Sequence, residues 1–467
     1  MKKSRKETVE NRRLQSGQLD LFEDAPLVSQ TFSRPPASGC SKFDEGFSGL
    51  PAGYRNNGNF NNLGSNANWW SATENNSNNA NYLNLNGSSA NINNNNNKNN
   101  AQSVRCLQDS INLRPMLYAA YRDARRNKRG TLSQLKFEMD QENQLERLAQ
   151  DLENRTYELS PAMCFVNTEP VKREVIAADF RDRVVHHLLF SWINPILDKQ
   201  FIHDSYSCRD GKGTLYAVER AYQFMESASK SWTRECYVLR LDISGFFMSI
   251  NRDILYRLCM QGLRRGRFMG VPNKDLCVFL LKKFIYNNPL ENAFFRGDLG
   301  LWQGLPKNKS LRYAKEGCGL PIGNLTSQLF GNVYLNLLDH FVKQNLGMRY
   351  YGRYVDDMVL FHENPEKLKE ASLHISDFLE MRLLLKLNHK KFYLQPISRG
   401  FSFLGTFIRP GMVLPGRRLK RNFLKALQSV RESPRKNRSS KRNRLISYCG
   451  LIGYYNALIS STLKPVC

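Results

Sequence analysis

The chain has 467 residues and a formal net charge of +26, from 68 Lys and Arg against 42 Asp and Glu. That length accommodates more than one domain, and so basic a balance points to phosphate-rich partners such as nucleic acid. Its 10 scattered cysteines lack a C-x-x-C pair or zinc-type His spacing, which argues against a disulfide scaffold or zinc finger, and no apolar run suits a membrane span or signal peptide.

Residues 1–42 carry charge without apolar periodicity and are expected to form a disordered tail. From about Phe43 to Asp109 the composition changes: Asn makes up nearly half of residues 56–100, and charge almost vanishes. Such bias ordinarily means disorder, and a largely irregular backbone is expected over residues 43–115. Between the Asn clusters, however, stand Leu50-Pro51-Ala52-Gly53-Tyr54-Arg55, Trp69-Trp70-Ser71-Ala72-Thr73-Glu74, Tyr82-Leu83 and Ser103-Val104-Arg105-Cys106-Leu107, spaced like the framework of a folded domain.

Residues 117–230 read as helix-rich, with Gln134 to Leu152 amphipathic and Val184 to Leu197 apolar on one face. His186 and His187 point to different faces of that second helix and are taken as structural. An apolar strand, Tyr237-Val238-Leu239-Arg240-Leu241, ends in Asp242, and a helix is expected from about Asn251-Arg252-Asp253. Further helices are expected near residues 325–345 and 366–384, flanking Arg353-Tyr354-Val355-Asp356-Asp357-Met358-Val359-Leu360-Phe361. Beyond Arg417 two basic helical stretches break near Ser433-Pro434.

Asp356 and Asp357 lie between short β-branched and aromatic runs, as two strands meeting at a tight turn require. Paired acids at such a turn repel one another unless a hard divalent cation neutralises them, and oxygen-only ligation suits Mg²⁺. The competing reading is a solvated turn with two surface acids. Asp242 supplies a third carboxylate, which together with that turn matches a two-ion site for phosphoryl transfer, here nucleotide addition.

At these residues the chain resembles reverse transcriptases. LDISGFF (from Leu241) is similar to their first catalytic block, RYVDDMVLF to their YxDD hairpin, and Gly400-Phe401-Ser402-Phe403-Leu404-Gly405-Thr406-Phe407 to their primer-contacting hairpin. Gly319-Leu320-Pro321-Ile322-Gly323-Asn324-Leu325-Thr326-Ser327-Gln328 reads IGxxxSQ where most of them read QGxxxSP, a variant that resembles the branch found in diversity-generating retroelements. VIAADFRDRVVHH (from Val175) and FIHDSYSCRDGKGTLY (from Phe201) resemble fingers blocks of the same branch, so the likeness spans roughly residues 116–415.

The resemblance implies an α+β right-hand polymerase: fingers over residues 116–234, a palm with an antiparallel sheet over 235–410, and a short basic helical thumb over 411–467. It implies catalytic and metal-binding roles for Asp242, Asp356 and Asp357, with the backbone carbonyl of Ile243 as a further ligand and two Mg²⁺ ions as cofactors. Phe247 corresponds to the steric gate against a 2′-hydroxyl, with Phe246 facing the other way. Ile322 and Gly323 fall in the nucleotide pocket, and Arg173 and Arg183 are candidates for the triphosphate, with Lys172 and Arg181 as alternates. Lys390 or Lys391 is a candidate to protonate pyrophosphate. Ser327 and Gln328 are placed beside the template, and Leu404 and Gly405 beside the primer.

The framework among the Asn clusters resembles the C-terminal end of ligand-display domains related to C-type lectins and formylglycine-generating enzymes, the usual targets of these retroelements. Asn codons begin with two adenines, whose random replacement yields most amino acids and never a stop. Residues 43–115 therefore read as an in-frame translated template repeat, which makes Met116 a candidate start of the working enzyme. The expected activity is RNA-directed synthesis of adenine-mutagenised cDNA. The expected partners are template RNA, primer or cDNA, deoxynucleoside triphosphates and a small basic pentameric accessory protein, with no membrane, in a cytoplasmic, bacterial or phage setting. The alternatives are a group II intron- or retron-type reverse transcriptase, or a ligand-binding protein with a degenerate polymerase.

Overall fold

The computed structural model describes residues 112–126, 130–168, 172–432, 442–443, 445–451 and 453, and backbone strands within residues 54–97. The chain divides into two compact units, Met1–Asp109 and Ser110–Cys467. In the first, β1 (Tyr54–Asn56) pairs with β2 (Asn59–Asn61), and β3 (Ala67–Glu74), β4 (Asn79–Asn86) and β5 (Ser89–Asn97) form an antiparallel meander. The expected irregularity of residues 43–115 is corrected over the strands within residues 54–97: Asn79-Ala80-Asn81-Tyr82 and Ala90-Asn91-Ile92-Asn93 alternate as a pleated backbone allows, and Asn57-Gly58, the sequence favoured for a two-residue link, separates the paired Asn56 and Asn59. The expected tail, residues 1–42, lies outside the described residues.

The second unit opens with α1 (Leu113–Arg125), α2 (Leu132–Glu138) and α3 (Gln141–Glu153). The single amphipathic run anticipated from Gln134 to Leu152 is broken at Met139-Asp140, because Asp140 leaves helical geometry (φ −138°) and becomes the N-cap of α3. Asn112 caps α1 by accepting from the Arg114 amide, Leu113 is buried, and Arg114 pairs with Glu146 at 2.6 Å and Glu153 at 3.0 Å. Met116 therefore sits within the first turn of a docked helix.

β6 (Met163–Asn167) and β7 (Arg173–Ala177) form a hairpin leading into α4 (Phe180–Leu197) and α5 (Thr214–Ala228). β8 (Tyr237–Leu241) ends at the short α6 (Phe246–Ser249), followed by α7 (Arg252–Arg265) and α8 (Lys274–Tyr286), both N-capped by Asn side chains. β9 (Phe294–Phe295) joins β6 in parallel. After α9 (Leu325–His340), the hairpin of β10 (Tyr350–Tyr354) and β11 (Asp357–His362) precedes α10 (Pro365–Leu383) and β12 (Tyr393–Pro396). β13 (Phe401–Phe403), β14 (Thr406–Arg409) and β15 (Met412–Pro415) make a separate meander before α11 (Arg417–Arg431).

The central sheet runs β10-β11-β8-β12, all antiparallel. The main core joins Leu239, Leu241, Met358 and Leu360 of this sheet to helix residues such as Leu189, Tyr334, Leu338 and Leu379, every one of them buried. His186 is part of that packing: its ring stacks on Phe284 at 3.9 Å, Nδ1 lies 2.8 Å from Thr326 Oγ1, and burial pushes its pKa down to about 3. This fits the structural role expected for it. No described helix is long and apolar enough to cross a membrane. The described cysteines carry free thiols.

Candidate active site

β10 and β11 are joined by a two-residue turn, Val355-Asp356, closed by the pairing of Tyr354 with Asp357. Val355 takes a left-handed backbone (φ 55°), unusual for a β-branched side chain and a sign of local strain. A buried prop holds the turn from behind. Arg353, wholly buried, donates 2.8 Å to the Val355 carbonyl and forks onto the buried Asp339 at 2.6 and 2.7 Å, and the Tyr351 hydroxyl also donates to Asp339, at 2.7 Å.

Strand register supplies the third acid. Leu241 pairs with Met358, so the residue that follows β8, Asp242, comes to the Asp357 end of β11. Asp242 and Asp356 line one cavity of about 540 Å³, together with Ile243, Phe247, Ile322, Gly323, Ser327, Gln328 and Arg173. Of the resemblance-derived residues, Asp357, Arg183, Leu404 and Gly405 do not line this cavity; Asp357 adjoins Asp356 at the start of β11, with Arg240 3.9 Å from its carboxylate. Arg183 is half-buried at the start of α4, while Leu404 and Gly405 form the β13–β14 turn with φ 47° and 86°. The alternates fare differently. Arg181 is occupied by Asp151 at 2.6 Å and by the face of Tyr157, and Lys172 donates to the Gln303 carbonyl.

Gly323 sits at φ 134°, where an added Cβ would press 3.1 Å from the Ile176 carbonyl of β7. The Ile176 amide donates to the Ile322 carbonyl at 2.9 Å, so this close approach ties the IGxxxSQ segment to the β6–β7 hairpin. Phe246 is buried, whereas Phe247 is partly exposed at the cavity wall, 5.1 Å from Phe246 between centroids. Gln328 accepts a hydrogen bond from Cys208 Sγ at 3.1 Å.

The acids repel one another. Burial, then Asp357 and Asp242, push the Asp356 pKa up to about 7, and burial raises that of Asp357 although Arg240 opposes the rise. Lys391 Nζ donates 2.7 Å to Asp242 Oδ1, and Asn388 Nδ2 donates 3.0 Å to Oδ2. Burial disfavours charge on Lys391, but the bond to Asp242 outweighs it and the lysine pKa is raised. Of the two lysines considered in the sequence, Lys391 is therefore the one in contact with the acids. Among the described residues no three His, Cys, Asp or Glu side chains close into a ready metal cage; Lys391 is bonded to Asp242, and Arg240 lies 3.9 Å from Asp357. The donor set nevertheless suits a hard divalent ion: carboxylates with mutual repulsion to relieve and oxygen atoms alone.

One consequence is pH-dependent. With its pKa raised in the fold, ionised Asp356 is disfavoured relative to the unfolded chain. The metal-free protein should then lose stability as pH rises from the ordinary carboxylate range through about 7. Because the side chain is partly exposed, the loss is expected to be about 1–2 kcal/mol rather than the full shift. Thermal unfolding at about pH 5.5 and about pH 8, with and without Mg²⁺, should show the ion stabilising more at the higher pH; equal stabilisation at both would count against this electrostatic picture.

Sequence reasoning missed Asn388, Arg240 and the pair Asn308-Lys309, which also line or adjoin the cavity. Asn388 follows a short bridge of Leu387 to Ile243, visible only once the chain is folded.

No curated protein matches the chain. Among solved structures it is similar to apo telomerase of Candida tropicalis truncated from the C-terminal domain, at 14% identity over 58% of this chain and 59% of that one, with TM-score 0.40. It is also similar to apo telomerase of Candida tropicalis at 11% identity (58% and 52%, TM-score 0.41). The telomerase of Candida albicans in complex with a TWJ fragment of telomeric RNA is similar at 10% identity (59% and 52%, TM-score 0.40). The chain spans little more than half the length of each. The profile of the reverse transcriptase (RNA-dependent DNA polymerase) family matches residues 172–408, just over half of the sequence and inclusive of Asp242, Ile322, Asp356, Asp357 and the β13–β14 turn. On that match the chain belongs to the reverse transcriptase family.

Proposed function

We propose that this reverse transcriptase is the polymerase of a diversity-generating retroelement, copying a template-repeat RNA into cDNA altered at adenines. The observation that carries the catalytic half is the convergence of Asp242 and Asp356 on one cavity with Arg173, Phe247 and Ile322. The IGxxxSQ segment and the Asn-rich segment support the retroelement class. In this reading residues 116–234 act as fingers, 235–410 as palm and 411–467 as thumb, and residues 43–115 are translated template repeat.

Asp242, Asp356 and Asp357, with the Ile243 carbonyl, would hold two Mg²⁺ ions, which when bound supply activation of the primer hydroxyl and neutralise charge on the transferred phosphate. Arg173 grips phosphate oxygens, since a guanidinium matches them bidentately. The Phe247 ring fills the space a 2′-hydroxyl would need. Ser327 and Gln328 face the template strand, and Leu404 and Gly405 the primer. Template RNA, primer or cDNA, deoxynucleoside triphosphates and a small basic accessory protein are the partners of this reading, in a cytoplasmic setting.

Ile322 replaces a polar residue with an aliphatic one beside the nascent pair. The loss of a positioned hydrogen bond is worth about 1 kcal/mol of discrimination, or about fivefold in errors. Copying an RNA transcript that encodes residues 43–109 and sequencing the cDNA should reveal substitutions concentrated opposite adenine, reduced about fivefold in Ile322→Gln. Errors spread evenly over the four template bases would point instead to a group II intron- or retron-type enzyme, and equal adenine errors in both proteins would remove the role of Ile322.

A further inference from the structure

The segment between the two catalytic blocks, residues 287–319, lacks hydrophobic periodicity, yet it is firmly fastened over the cavity. Glu174 of β7 is buried at 1% exposure, and its carboxylate accepts from Trp302 Nε1 at 3.0 Å, Ser310 Oγ at 3.2 Å and the Leu311 amide at 2.7 Å. Lys172 adds a bond to the Gln303 carbonyl at 2.7 Å. Asn308 is pressed against Gly245 of the first catalytic block, where a Cβ would stand 3.0 Å from both its Cβ and its carbonyl oxygen. Asn308 and Lys309 thereby become part of the cavity lining that includes Asp242, Asp356 and Phe247.

β7 alternates in the manner of any strand. Arg173 lines the cavity, while its neighbour Glu174 clamps the segment that carries Lys309. One strand thus sets the spacing of two cations on the same cavity. Neighbouring cations of the segment are otherwise engaged: Lys307 lies 5.8 Å over the Tyr313 ring and Arg312 lies 4.7 Å over Phe295. Lys309 is half-buried and, among the described residues, its ammonium has no carboxylate or ring partner. A half-buried ammonium without a counter-charge, on the same cavity as Asp242 and Asp356, matches a polyphosphate better than a sugar or base.

We propose that Lys309 binds the triphosphate of the incoming deoxynucleotide together with Arg173, with Glu174 as the positioning residue that sets it there. This rests on the reading of the cavity as the nucleotide site. It is tested by titration calorimetry of the full chain with dTTP and with dTMP in the presence of Mg²⁺. Lys309→Ala should weaken dTTP binding about tenfold, the order expected of one charge-assisted contact, and leave dTMP binding unchanged, while Lys309→Arg should recover most of the loss. A variant that binds dTTP as wild type does, or that loses dTTP and dTMP equally, overturns the proposal, the second outcome because a merely structural lysine would do the same. Polymerisation by the wild-type chain on a primed RNA reports separately on the parent reading, since binding does not depend on turnover.

Discussion

Asp242→Asn is expected to lower deoxynucleotide incorporation by about 10²–10³-fold or more without lowering thermal stability. Asp242 is only 5% exposed and bridges Asn388 and Lys391, and Asn keeps its shape and one acceptor for the Lys391 ammonium. What it loses is the charge that opposes a cation. Removing that charge also relieves Asp356, whose raised pKa owes part of its shift to Asp242, so the metal-free variant should unfold at the same temperature or slightly higher. Parallel melting curves and single-nucleotide extension rates check both halves; a variant that melts early and is inactive would show a structural defect instead.

Arg353→Met should destabilise the second unit by about 3–5 kcal/mol, the range for removing one partner of a buried ion pair. Both partners are fully buried, and Asp339 would keep only the Tyr351 hydroxyl in place of the fork. The same guanidinium steadies the Val355 carbonyl, so the strained turn that presents Asp356 loosens as well. Chemical denaturation gives the stability change. The double variant Arg353→Met/Asp339→Leu should regain much of the stability, because two apolar groups replace an orphaned charge, yet remain slow in extension because the turn keeps no prop. Recovery of both together would mean that the pair serves stability alone.

The Asp356-Asp357 hairpin was legible because its signals are local: apolar runs of strand length on either side of two acids, and an apolar strand ending in a third. The register that brings Asp242 to the Asp357 end of β11 follows from the pairing of Leu241 with Met358, which no local signal encodes. Helices over Leu325–His340 and Pro365–Leu383 matched their periodicity, while the break at Met139-Asp140 did not show because Phe137, Leu145, Leu148 and Leu152 keep an apolar spacing across it. The strands in residues 54–97 were masked by composition, since Asn usually marks turns or disorder. In the DFRDR stretch three charges proved to be fold-building: Asp179 caps α4, Arg181 pairs with Asp151, and Asp182 is buried against the Tyr157 hydroxyl at 2.7 Å. Lys309 was invisible for the opposite reason, because its segment has no pattern and is placed by Glu174 from far away in sequence.

The most direct test is extension of a DNA primer annealed to RNA by the full chain, given deoxynucleoside triphosphates and Mg²⁺, with Asp356→Ala beside it. A DNA product complementary to the RNA that disappears with chelator and in the variant is the predicted result. Undiminished product from Asp356→Ala, or none from the wild-type chain, would contradict the assignment of polymerisation to Asp242, Asp356 and Asp357.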